Sequence, residues 1–108
     1  MHTQGLGTMW MMQASCIGWT APLVNPPKIE NVVTAQPILV SNTFYDPATS
    51  FVFATGVQAQ FKNSVLIARN GIGHGSLPYS TRGGENEKAM SDYLVHGTLP
   101  KAGTVYKS

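Results

Sequence analysis

The chain reads as a single α/β unit built on parallel strands. Two apolar runs, Pro37-Ile38-Leu39-Val40-Ser41-Asn42 and Val65 to Ala68, have the length and unbroken hydrophobicity of strands covered on both faces, as parallel sheets require. Stretches of helical periodicity stand between and after them, so the order is strand, helix, strand, helix. A length of 108 residues suits one domain and is too short for two well-packed ones. The unit 1–108 divides into a helical approach at 1–20, a connector at 21–36 and a βαβα segment at 37–108.

The approach, from about Leu6 to Ile17, carries Met9, Trp10, Met12 and Cys16 without proline and reads as a short helix, weakened by two early glycines. Its apolar side chains, Met11 included, are expected to pack rather than to bind a cofactor. The connector holds Pro22, Pro26 and Pro27, a density that forbids a helix or a central strand. The run Pro37 to Asn42 then reads as a central parallel strand that ends in polar turn residues. After Tyr45-Asp46-Pro47 a helix is expected from about Thr49 to Phe61, with Phe53, Val57 and Phe61 forming an inward stripe. A second strand covers Val65 to Ala68. The last helix, about Glu85 to His96, places Ala89, Met90, Tyr93 and Leu94 on one face and stops at Gly97. Its charged residues Glu85, Glu87, Lys88 and Asp92 read as a solvated face.

Composition removes several classes of function. Only 11% of residues are charged, against about a quarter in ordinary soluble domains, while 43% are hydrophobic, so much of the surface expects cover. The formal charge of +2 arises from scattered Lys and Arg with no basic run, which excludes an electrostatic footprint for nucleic acid or an anionic membrane. No stretch approaches the roughly 18 apolar residues of a membrane span. The first residues lack a basic segment leading into an apolar one, so no export signal is expected and the compartment stays open. The single Cys16 rules out an internal disulfide and any CxxC motif, and reads as a small buried thiol. Three histidines and one cysteine at unpatterned positions make a poor metal site, and no phosphate-binding glycine loop is present. No cofactor is expected.

One pair of residues carries chemistry. A parallel strand-helix-strand unit takes roughly 30 residues, and Asp46 and His74 stand about that far apart, each just past its strand. Both therefore fall at the carboxyl ends of adjacent parallel strands, the edge where open α/β sheets assemble sites. A carboxylate beside an imidazole can hold the proton on one ring nitrogen and leave the other to accept one from a nucleophile. In Gly71-Ile72-Gly73-His74-Gly75-Ser76 the glycines let the ring project beyond the strand. Taken singly, Asp46 before Pro47 is an ordinary turn-starter, and His74 an ordinary turn residue. Only their joint placement favours a general base with its orienting acid. His96, in a last helical turn, and His2 receive no role.

At these residues the chain resembles a known family. QPILVSNTFYDPATS, FKNSVLIARNGIGHGS and SDYLVHGTLPKAGTVY, with CIGW upstream, are similar to the carboxyl-terminal part of the TAP-like serine hydrolases, the tripeptidyl-aminopeptidase-related branch of the α/β-hydrolase fold. The resemblance implies a Ser-Asp-His triad in which Asp46 is the acid and His74 the base. It also implies a peptidase acting on peptide N-termini. No serine here lies in a G-x-S-x-G elbow, and Ser76 sits on the wrong turn for a nucleophile. The chain is therefore expected to be a C-terminal fragment, inactive alone, whose partner is the missing amino-terminal half, in the same or another chain. Peptide or ester substrates belong to the complete enzyme. Family members often carry cysteines after the histidine turn and at the end of the closing motif; here the first is absent and Tyr106 stands at the second. This fits a dispensed-with disulfide. The alternative is a catalytically silent α/β-hydrolase remnant that acts as an interaction module through its exposed sheet edge and apolar surface.

Overall fold

The structure, a computed structural model, describes residues 14–22, 24, 28–75 and 84–107. Most of the expected first helix lies outside them; the described end of that stretch is a turn, with Ile17 N–H donating to the Ala14 carbonyl. Cys16 is exposed, which corrects its reading as a buried thiol.

Five elements occur in order: β1 (Ile38–Tyr45), α1 (Phe51–Gln58), β2 (Ser64–Ile72), α2 (Glu85–His96) and β3 (Val105–Lys107). The strands form one parallel sheet in the order β1-β2-β3. The expected α/β class with parallel strands is thus present, and two details change. The central strand is β2, not β1, and a third strand comes after the last helix. Both main strands also run past their apolar cores. Ser41 and Asn42, which read as polar turn residues, continue β1 together with Thr43, because Asn42 and Thr43 are buried and hydrogen-bonded there.

Strand alternation assigns the two faces of the sheet. Thr43 pairs with Arg69, and Arg69 with Tyr106, so these three share one face; Asn42 and Ala68 share the other with Val105. Helix α1 lies on the Asn42 face. Asn42 reaches the Thr49 carbonyl that precedes it, Ser64 Oγ donates to the Gln58 carbonyl at its end, and Phe51 meets Phe44 edge to face at 4.8 Å. Helix α2 borders Tyr106 on the other face, and Tyr93 Oη donates to the Pro37 carbonyl at the start of β1, 2.8 Å away. It ends at Gly97 in a left-handed conformation, as the sequence pattern requires.

The expected inward stripe of α1 is corrected. Phe53 is 60% exposed and Val57 is also exposed, while Ala54 is the buried residue of this helix. The helix spans Phe51–Gln58 rather than Thr49 to Phe61. Asp46 ties the amides of Ala48 and Thr49 into a preceding turn, and Phe61 leaves the helix to bridge Val32. Starting two residues later, the helix turns Phe51 and Ala54 toward the sheet. Leu94 of α2 is likewise exposed, so the apolar face there narrows to Ala89, Met90 and Tyr93.

The connector is partly structured at its end. Val32 N–H donates to the Gln60 carbonyl and its own carbonyl accepts from Lys62 N–H, while Thr34 and Asn63 exchange hydrogen bonds. Among the described residues the buried apolar core consists of Ala54, Ile67 and Ala68. Among them, too, no helix is long and apolar enough to cross a membrane.

Candidate active site

Asp46 comes directly after the last residue of β1, and His74 lies two residues beyond β2. The register carries them there: Tyr45 pairs with Ile72, and Gly73 N–H donates to the Tyr45 carbonyl. Between the pairs Thr43-Arg69 and Tyr45-Ile72, β2 carries one more residue than β1. Such a bulge bends its strand and redirects the chain beyond it. Here it precedes the turn that bears His74. Gly73 (φ 118°) and Gly75 (φ 78°) flank the histidine in backbone conformations that residues with a Cβ rarely adopt. The glycines are thus required on both sides of the ring.

The two side chains meet. His74 Nδ1 lies 3.0 Å from Asp46 Oδ1 and 3.1 Å from Oδ2. Asp46 does more than face the ring. Its Oδ1 accepts the N–H groups of Ala48 and Thr49, each at 2.8 Å; its Oδ2 accepts the Thr49 hydroxyl at 2.8 Å and Gly75 N–H at 2.9 Å. Turn-starter and imidazole partner, alternatives in the sequence, are both true of this residue. Covering by protein pushes its carboxyl up, but the amides of Thr49 and Gly75, then the Thr49 hydroxyl and His74, outweigh that and hold it well below its ordinary 3.8.

The chemical consequences are direct. An ionised carboxylate only accepts hydrogen bonds, so the Nδ1 facing it must carry the proton. A neutral ring then has its lone pair on Nε2. The His74 side chain is 64% exposed whereas that of Asp46 is fully covered, and no described residue hydrogen-bonds Nε2. The pair thus presents an oriented, open proton acceptor at the sheet rim.

Thr49 was not legible as part of the site. Its hydroxyl bonds Asp46 and lies 3.5 Å from His74 Nδ1. A hydroxyl three residues after an aspartate at a turn is the one signal for it in the sequence. The buried polar side chains just beneath the rim, Asn42, Thr43 and Arg69, were also missed. Asn42 Nδ2 braces the acid turn through the Thr49 carbonyl at 3.0 Å. Thr43 Oγ1 braces the His74 turn through the Gly75 carbonyl at 2.6 Å. Among the described residues no three of His, Cys, Asp and Glu gather as a metal-binding group.

A family profile described as TAP-like protein matches residues 3–106. The chain belongs to the TAP-like protein family. Its parallel sheet with two helices is that of the C-terminal part of a TAP-like α/β hydrolase, and the three motifs carrying the sequence resemblance fall inside the matched span. No curated protein and no solved structure matches this TAP-like chain.

Proposed function

We propose that this chain is the acid-base half of a serine hydrolase, with His74 as general base and Asp46 as the acid that orients it. The observation that carries the reading is the contact between His74 Nδ1 and the covered Asp46 carboxylate, with the rest of the imidazole open to solvent. In this reading Nε2 takes the proton of a serine hydroxyl as it attacks an acyl carbonyl and returns it to the leaving group. Asp46 stabilises the imidazolium formed in between. The serine and the oxyanion donors come from an amino-terminal half, because no G-x-S-x-G elbow lies in this sequence. The substrate class that fits family membership is peptides cut near a free N-terminus, an aminopeptidase-like activity.

A fluorophosphonate serine probe tests the assignment. The chain alone is expected to show no labelling, and the polypeptide that also supplies the elbow is expected to be labelled only while His74 is intact. Labelling that survives His74→Ala contradicts the role of the base. Comparing a peptide substrate with its N-acetylated form then tests the aminopeptidase reading, which fails if acetylation leaves the rate unchanged.

A second reading, a silent remnant that acts as an interaction module, is favoured by the outer face of α1, where Val52 is 70% exposed beside Phe53 and Val57. It prevails if no complementing half restores labelling.

A further inference from the structure

We propose that Arg69 and Thr43 are positioning residues for His74, forming a buried strut beneath its turn that sets the orientation of the imidazole. The inference rests on reading His74 as the base, but its geometry stands independently. Arg69 is only 3% exposed, at a strand position bordered by the apolar residues Ile67 and Ala68. Its Nε donates to Thr43 Oγ1 at 3.2 Å, and its Nη2 donates to the Ile72 carbonyl at 2.9 Å. Thr43, fully buried, uses its one hydroxyl proton on the Gly75 carbonyl at 2.6 Å. The carbonyls on either side of Gly73-His74 are therefore held by a single guanidinium-hydroxyl unit. From the opposite side Asp46 Oδ2 holds Gly75 N–H.

The cost of this arrangement argues for a task. A buried guanidinium is unfavourable unless a carboxylate pairs with it, and no described carboxylate forms an ion pair with Arg69. An apolar pair would pack the same space without that penalty. What an apolar pair cannot do is hold the Ile72 carbonyl and the Thr43 hydroxyl at fixed separation, which the planar fork of arginine does and the single ammonium of lysine does not. The turn needs such pins because Gly73 and Gly75 leave its backbone permissive. A Cβ placed on Gly73 would lie 3.8 Å from Arg69 Nη2, so the guanidinium rests against the turn itself. The strut and the bulge in β2 lie side by side, at the Thr43-Arg69 pair.

The test is nitrogen NMR of His74 in the full chain labelled with ¹⁵N-histidine, above the pH where the ring is protonated. In the unaltered chain the Nδ1–H tautomer should dominate. Thr43→Val keeps the shape and removes the hydroxyl, and should lower the ratio of Nδ1–H to Nε2–H tautomer about tenfold, the weight of one charge-assisted hydrogen bond. Thr43→Ser should restore it. Ile67→Val, a buried change in the same strand, should leave the ratio as it is, because the effect tracks the hydroxyl and not general stability. A folded Thr43→Val chain with an unchanged ratio overturns the inference. If that variant does not fold, the unaltered chain decides: a slowly exchanging Thr43 hydroxyl proton close to Gly75 supports the strut, and its absence overturns it. Loss of the catalytic reading is seen separately, as serine-probe labelling that no longer needs His74.

Discussion

Asp46 and Phe53 stand a few residues apart and invert the usual rule of burial. The charged side chain is fully covered, while the aromatic one is 60% exposed. At the rim every oxygen of the carboxylate is engaged, and the side chains below it, Asn42, Thr43 and Arg69, are hydrogen-bonded in turn. On the outer face of α1, Val52, Phe53 and Val57 stay open to solvent among the described residues. The contrast shows where this unit concentrates its cohesion. The Asp46-His74 pair is completed by contacts within the turns that follow β1 and β2, whereas the apolar helix surface has no such cover among the described residues. A site of this kind is organised by hydrogen bonding, and the body around it by burial that, among the described residues, Ala54, Ile67 and Ala68 only begin.

The contrast can be broken most forcefully at the rim. In a polypeptide that also supplies the nucleophile, Asp46→Asn is expected to reduce turnover by about 10⁴-fold, since an amide can present its N–H to Nδ1 and favour the wrong tautomer. Steady-state kinetics checks this, and near-normal turnover refutes the acid assignment. Next in size, Ile67→Ala removes the largest fully buried apolar side chain among the described residues and should cost about 3 kcal/mol, read from the urea midpoint. An unfolded product would show how little core is held in reserve.

Gly75→Ala is expected to cost about 1 to 2 kcal/mol through its left-handed backbone, with a matching fall in the His74 Nδ1–H signal. Retention of that signal would separate turn strain from ring placement. The acid limb of stability sharpens the comparison further. Because folding depresses the Asp46 carboxyl, its contribution is complete above the ordinary value near 3.8 and is lost as pH falls toward the folded value. Urea midpoints should therefore decline below about pH 4, and Asp46→Asn should flatten that decline; an unchanged slope would assign it to other carboxylates. The smallest effect belongs to the other region. Phe53→Ser on the isolated chain should change stability by less than about 0.5 kcal/mol, and a larger loss would mean that the face is already covered.

Physical scale decides how much of this was legible. The cores of β1 and β2 were visible because a buried parallel strand must be continuously apolar, and α2 kept its bounds because acidic residues open it and Gly97 closes it. The pairing of Asp46 with His74 was legible because crossover length fixes where successive parallel strands end. The face of α1 was not. Its period pointed to the stripe Phe53, Val57 and Phe61, whereas Asp46 binds the amides of Ala48 and Thr49 in a local turn before the helix starts, a contact that periodicity does not report. β3 escaped because three residues, Val105 to Lys107, carry no pattern of their own. Thr43 and Arg69 escaped for the opposite reason: polar residues at a strand end resemble turn formers until the facing strand shows what they bond.

Asn42 and Thr43 are consecutive in β1 and point to opposite faces, one toward the acid loop and the other toward the histidine loop. A single peptide unit thus acts as the fulcrum between them. Sliding β1 by one position against its neighbour would exchange the two supports and misplace both loops together. The smallest transplantable version of this pair is accordingly not its two loops, but the strand ends that carry them.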